Sequence, residues 1–309
     1  MKRILKVFLW MIAIVVFILG INFRPDIPLD KLKEKYTNAA SQFINIDGMS
    51  VHYRIEGEGI PLVLLHGTSA SLHTWDEWTK TLSKSFKVIR LDLPAFGLTG
   101  PDPQNRYQME NYVTFLHAFL TKLNITHFHL AGNSLGGNIA WEYGLAFPNE
   151  VEKLILLDAA GIPTSGKKPF IFELARNPLT AKIVQYVTPE FIVKKNLEQV
   201  YADDSKITPK LITRYYELNR RAGNRAAFIE RAKLNYNNNY LKLPLLKQPT
   251  LILWGEKDPW IPQEAAKKFE KLIPNNKLII YKNIGHIPME EIPEKSVMDA
   301  LIFLQKGAL

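Results

Sequence analysis

Three residues far apart in the chain, Ser134, Asp258 and His286, are of the types that nucleophilic hydrolysis needs. A serine hydroxyl attacks a carbonyl carbon only when a base takes its proton. Histidine serves as that base when a carboxylate orients its ring and stabilises the imidazolium. Ser134 stands in Gly132-Asn133-Ser134-Leu135-Gly136, after the apolar run Phe128-His129-Leu130-Ala131 and before Gly137-Asn138-Ile139-Ala140-Trp141-Glu142-Tyr143. The first run reads as a buried strand and the second as a helix, so the serine falls on a sharp turn that exposes its hydroxyl. Glycines flank it because side chains there would collide with the neighbouring strand and helix. The helix that begins there turns its N–H groups and positive dipole end toward a developing oxyanion. Taken alone, G-x-S-x-G is also the pattern of an ordinary glycine-rich strand–helix turn.

The C-terminal quarter supplies the partners. Asp258 lies in Glu256-Lys257-Asp258-Pro259-Trp260, after the strand pattern Pro249-Thr250-Leu251-Ile252-Leu253-Trp254-Gly255. His286 lies in Asn283-Ile284-Gly285-His286-Ile287-Pro288, after Lys277-Leu278-Ile279-Ile280-Tyr281. Both follow strand C-termini, the edge at which open α/β sheets bind ligands. Asp158 ends the strand pattern Leu154–Leu157 and is the alternative acid, with Asp258 better placed on its loop. His66 reads as structural, and His52, His73, His117, His127 and His129 as packed or surface residues. No histidine pair has the H-E-x-x-H spacing and no nucleotide-binding glycine motif is present, so neither a catalytic metal nor a cofactor is expected.

Three further segments, Leu65-His66-Gly67-Thr68, Asp92-Leu93-Pro94-Ala95-Phe96-Gly97-Leu98-Thr99 and Gly285-His286-Ile287-Pro288, occur with the serine motif in one order. From about Phe43 to its end the chain resembles the α/β-hydrolases, whose order Ser…Asp…His it shares. The resemblance implies an α/β fold with a mostly parallel sheet, helices on both faces and a helical cap insertion. It implies a catalytic triad of Ser134, Asp258 and His286, and an oxyanion hole from the N–H groups of Thr68 and Leu135. By the same resemblance, Asp92 and Gly97 shape the loop after the fourth strand. Phe96 departs from the small residue common at its position, which is expected to narrow the pocket mouth. A serine at the turn argues against the dehalogenases and epoxide hydrolases of this fold, which carry aspartate there. Carboxylic esters are the implied substrates, as for capped esterases and lipases. Carbon–carbon hydrolysis of diketones or ring-cleavage products is the alternative. A non-catalytic binding member is the reading from another class, and the intact triad motifs argue against it.

Alternating patterns place strands near 42–47, 51–56, 61–65, 87–91 and 153–157, with helices near 74–84 and 109–123. This alternation means a parallel sheet covered on both faces. It stops between about Gly161 and Pro244, where only helical patterns occur, including 178–187, 209–221 and 225–234. The expected organisation is thus a hydrolase core over 42–161 and 245–309, with the cap over 162–244. Phe170, Phe172, Tyr186, Phe191, Tyr215, Tyr216 and Phe228 are candidates to line the cap's inner face or to pack its own core.

The N-terminus is separate. Val7 to Ile21 is uninterrupted apolar sequence, and with Ile4 and Leu5 the run reaches about 18 residues, or ~27 Å of helix. Lys2, Arg3 and Lys6 precede it while only Arg24 closely follows. Residues 1–22 therefore read as a transmembrane anchor with its N-terminus in the cytoplasm and the catalytic part outside. A cleaved signal peptide, giving a secreted or periplasmic enzyme, is the competitor, although no A-x-A-like site follows directly. Residues 23–41 read as a polar tether. The net charge is +9, of which the first 35 residues hold seven Lys/Arg and three acids. The scattered remainder implies no nucleic-acid groove, so the expected partners are the membrane and an apolar ester. The chain has no cysteine, which excludes disulfides and cysteine catalysis.

Overall fold

The computed structural model describes residues 2–165, 169–235 and 239–306. Its eight strands are β1 (Ser41–Ile46), β2 (Met49–Glu56), β3 (Ile60–Leu65), β4 (Phe86–Leu91), β5 (Phe128–Asn133), β6 (Val151–Leu157), β7 (Thr250–Gly255) and β8 (Asn276–Tyr281). They form one sheet in the order β1-β2-β4-β3-β5-β6-β7-β8. β2 is antiparallel to both neighbours, and every pair from β4 to β8 is parallel.

The helices are α1 (Lys2–Ile21), α2 (Leu29–Tyr36), α3 (Asp76–Leu82), α4 (Met109–Lys122), α5 (Leu135–Ala146), α6 (Phe170–Arg176), α7 (Pro178–Tyr186), α8 (Glu190–Val200), α9 (Pro209–Asn219), α10 (Asn224–Ala232), α11 (Gln263–Leu272), α12 (Pro288–Glu291) and α13 (Pro293–Gln305). Elements read from the sequence lie within about three residues of their expected bounds. The sequence pattern does not single out α2, α6, α8 or α11–α13.

Strand side chains alternate between the two faces. Leu62 and Leu64 of β3 join Val88, Ile155, Leu157, Leu251 and Leu253 on one face, under Trp75, Trp78, Val297 and Ala300. Val63 and Leu65 join Ile89, Leu130, Leu156 and Ile252 on the other, under Phe119, Ile139, Ala266 and Phe269. Because both faces are covered, the central strands are apolar throughout rather than alternating. Trp78 of α3 is fully buried and donates its indole N–H to Ser296 Oγ of α13 at 2.9 Å. Truncating so large a buried side chain costs about 3–5 kcal/mol.

Helices α6–α10 are inserted between β6 and β7. The described apolar side chains of α1, among them Ile4, Phe8, Trp10, Ile14, Phe17 and Ile21, are exposed almost throughout. Residues 23–41, expected as a tether, are instead docked. Phe23 stacks on Tyr186 at 6.0 Å. Arg225 pairs with Asp26 at 2.6 Å, and Lys35 and Tyr36 both reach Glu217. Leu32 and Tyr36, spaced i, i+4 on one face of α2, bury themselves with Leu98 and Leu218. Polar residues dominate this segment in sequence, but two apolar side chains one turn apart suffice to seat a short helix.

Candidate active site

Ser134 connects β5 to α5 with φ 53° and ψ −113°, a conformation that L-residues adopt only when the surroundings enforce it. Three backbone bonds hold it: its N–H donates to Leu157, and its carbonyl accepts from Asn138 and Ala160, each at 3.0 Å. A Cβ at Gly132 would lie 2.2 Å from the Gly136 carbonyl, and one at Gly136 2.2 Å from that of Leu65. The flanking glycines are therefore required by contact. Asn133 adds a tie to a distant loop, its Nδ2 donating to the His286 carbonyl at 3.0 Å.

His286 follows β8, and its Nδ1 lies 2.6 Å from Asp258 Oδ2. The other carboxylate oxygen of Asp258 accepts from the N–H groups of Trp260 at 2.8 Å and Ile261 at 3.0 Å. The two loops meet because β7 ends in Gly255, where a Cβ would sit 1.8 Å from the Gly285 carbonyl. Asp158 is fully buried beside them. Its Oδ1 accepts from Gly255 N–H at 2.9 Å while its Oδ2 has no partner. Burial, reinforced by the neighbouring Asp258 charge, pushes its carboxyl well above the usual range. Ligand-type atoms of Asp158, Asp258 and His286 lie within 4.8 Å of one another, the one grouping compact enough for a metal among the described residues. Both oxygens of Asp258 are already engaged, one by the His286 ring and one by backbone donors.

Thr68 follows β3 and Leu135 opens α5, and both line the same cavity as Ser134 and His286. His66, fully buried, braces the loop before Thr68. Its Nε2 accepts from Leu93 N–H at 3.0 Å, which leaves the ring proton on Nδ1 to donate to the Gly67 carbonyl at 2.7 Å. Burial lowers its pKa, consistent with a neutral ring. Asp92 accepts from Leu72 N–H, Leu98 N–H and His52 Nδ1. Burial alone would raise its carboxyl, but the surrounding histidines, His52 foremost with His66 and His73, together hold it low. Gly97 packs directly on this carboxylate, since a Cβ would lie 2.1 Å from its carbon.

The cavity has a volume of about 620 Å³ and lies between these loops and the inserted helices. Of the seven aromatic candidates, Phe172, Tyr215 and Phe228 line it. Tyr216 is buried elsewhere in the insertion, while Phe170, Tyr186 and Phe191 face outward. Composition named the aromatics, but the rotation of each helix decided which way they point. Phe96 does not narrow the cavity: it is buried, edge-on to His66 at 5.9 Å and beneath the Arg231 guanidinium at 5.8 Å. The described lining includes Arg176, Arg225 and Arg231 and no carboxylate side chain.

Two carboxylates that motif reading passed over fasten the insertion to the histidine loop. Glu290 accepts from Tyr201 OH at 2.8 Å, Tyr215 OH at 2.9 Å, Thr74 Oγ1 and both carboxylate-facing contacts of Arg214, at 3.0 and 2.9 Å. Glu291, only 1% exposed, accepts from the N–H groups of Ala202, Asp203 and Gly285. His286 N–H itself donates to the Val200 carbonyl at 2.7 Å. The signal available in sequence was an acidic pair directly after Ile287-Pro288-Met289, with no spacing that marks chemistry.

Residues 60–293 match a family described as the alpha/beta hydrolase fold. Lipase 1 of Psychrobacter immobilis is 29% identical over 254 residues, 75% of this chain and 73% of the relative. A 2-hydroxy-6-oxononadienedioate/2-hydroxy-6-oxononatrienedioate hydrolase of Pseudomonas putida is 28% identical over 272 residues, 83% of this chain and 92% of the relative. The crystal structure of a membrane phospholipase A superposes with a TM-score of 0.76 at 26% identity, covering 98% of both chains. With its eight-stranded, mostly parallel sheet and this family match, the chain is a hydrolase and belongs to the α/β-hydrolase fold family.

Proposed function

We propose that the chain is a membrane-anchored serine hydrolase of carboxylic esters. The observation that carries this reading is the Asp258–His286 hydrogen bond beside a cavity that also holds Ser134 on a positive-φ turn. His286 takes the Ser134 proton as Oγ attacks the ester carbonyl, and Asp258 stabilises the imidazolium. The N–H groups of Thr68 and Leu135 receive the oxyanion at the positive end of α5. His286⁺ protonates the leaving alcohol, and a water activated by the same ring then releases the acid. The likeness to a lipase and to a membrane phospholipase A supports an acyl ester as substrate.

Anchoring is supported by α1, of which Arg3–Ile21 is long and apolar enough to cross a bilayer. The charge asymmetry around it favours a cytoplasmic N-terminus with the enzyme outside. A second reading, carbon–carbon hydrolysis, is favoured by the likeness to the Pseudomonas putida hydrolase, whose named substrates are dioates. Arg176 and Arg231 give the cavity lining a positive charge that suits carboxylates, Arg225 being paired with Asp26. Turnover of p-nitrophenyl esters of increasing chain length, beside a vinylogous diketone, separates the two. Ser134→Ala is expected to lower kcat by at least about 10³-fold on whichever substrate is turned over. A variant within about tenfold of wild type would mean another nucleophile.

A further inference from the structure

Helix α7 is apolar on two sides, and Phe170 of α6 and Phe191 of α8 add exposed apolar side chains, while Glu190, Lys194 and Lys195 make the rest of the outer face of α8 charged. Inward, Ile171, Phe172, Val184, Ile192, Val193 and Leu197 line the cavity. Outward, Phe170 is 66% exposed, Leu179 84%, Ile183 41%, Tyr186 43% and Phe191 63%. A helix that is apolar around most of its girth belongs in a core or in lipid. A cluster of such size on a soluble surface marks a contact site. The single charged residue of α7 is Lys182, and the helix has no acid.

The occupant follows from where α1 ends. Its last residue is Ile21, and two residues later Phe23 stacks on Tyr186 at 6.0 Å while Arg24 N–H donates to the Tyr186 carbonyl at 2.8 Å. Two residues span at most ~7 Å, about the depth of one interfacial layer outside the hydrocarbon core. The C-terminal end of α7 is thereby held at headgroup level, where aromatic side chains such as Phe23 and Tyr186 are favoured. Asp26 with Arg225, and Glu217 with Lys35, keep the segment after α1 from swinging away from the insertion.

We propose that the outer face of α7, with Phe170 and Phe191, is seated in the same lipid bilayer that α1 crosses, so that one layer of helix separates lipid from the catalytic cavity. The proposal rests on α1 being the anchor. It goes further in assigning a second lipid-contacting surface and in making bilayer lipid the source of the acyl chains that the cavity receives.

The chain has no cysteine, so single sites can be labelled in the full-length protein. Leu179→Cys, Phe191→Cys and Ile60→Cys each receive an environment-sensitive fluorophore in vesicles of phosphatidylcholine and phosphatidylglycerol. Ile60 opens β3, at the edge of the sheet opposite the site. A nitroxide on the lipid acyl chain is expected to quench the labels at 179 and 191 at least about twofold and to leave the label at 60 unaffected, because interfacial helices bury their apolar faces ~5–10 Å deep. Equal, weak quenching at all three sites would overturn the proposal. So would a blue shift at 179 and 191 without quenching, which means that protein covers this face. Retention of the same protein in carbonate reports α1 separately, so loss of the anchor is distinguished from loss of the docked face.

Discussion

Replacing Asp258 by asparagine tests the proposed chemistry through hydrogen-bond direction rather than shape. One oxygen of Asp258 accepts from Trp260 and Ile261 N–H at 2.8 and 3.0 Å, and the other faces His286 Nδ1 at 2.6 Å. An asparagine must keep its carbonyl toward the two backbone donors, since leaving a buried donor unpaired costs about 1–3 kcal/mol each. Its NH₂ then points at Nδ1 and donates to it. The ring proton moves to Nε2, and His286 can no longer accept a proton from Ser134. The loss expected in kcat is about 10⁴-fold, or ~5 kcal/mol of transition-state stabilisation. Asp158→Asn should behave differently. Burial already favours the neutral acid there, and asparagine preserves both that neutrality and the acceptor for Gly255 N–H. Its kcat is expected within about tenfold of wild type. Steady-state hydrolysis of a p-nitrophenyl ester, with thermal melts to confirm folding, measures both. If Asp258→Asn keeps more than about one-hundredth of wild-type kcat, the tautomer argument fails. An equal fall in Asp158→Asn would move the acid to the β6 loop.

Other consequences follow from the same geometry. Glu291→Ala strands three backbone donors and is expected to lower stability by at least about 3 kcal/mol, whereas Glu291→Gln should lose less; equal melting temperatures for wild type and the alanine variant would refute the strap. Glu142 is pushed up to about 7 from its usual 4.5 by burial, with the Asn239 hydrogen bond opposing. The folded state therefore holds a proton that the unfolded state releases, and stability falls as pH rises from 4.5 to about 7. Glu142→Gln should raise the melting temperature at pH above this window and not below it; the same shift on both sides would contradict the sign. Deleting residues 1–22 should leave an active enzyme that carbonate releases from the membrane fraction, since only the docked apolar face then remains to hold it there. Deleting 1–36 should cost stability as well, because it removes Leu32, Tyr36 and the Tyr36 carbonyl that accepts from the buried Arg54 at 2.8 Å; equal melting temperatures of the two truncations would show the docked segment to be inert.

The strands, the serine turn and the order of the three candidate residues were legible in sequence because each is a local pattern. An apolar run buried on both faces looks the same wherever it sits in the sheet, and a glycine-flanked turn needs only its immediate neighbours. Asp258 and His286 were singled out for the same reason, each lying a few residues past such a run. Which carboxylate meets the histidine was decided by tertiary structure. Asp158 and Asp258 both end strands of one sheet edge, and the close approach of Gly255 to Gly285 brings Asp258 against Nδ1. Phe96, Phe170, Tyr186 and Phe191 went elsewhere than expected because hydrophobicity says that a side chain leaves water, not which neighbour receives it. The docked segment after α1, Glu290 and Glu291 were invisible for a related reason. Gly285 apart, the partners of Asp26, Glu217, Glu290 and Glu291 lie from 75 to 216 positions away in the chain, and a buried carboxylate is defined by those donors rather than by the residues beside it.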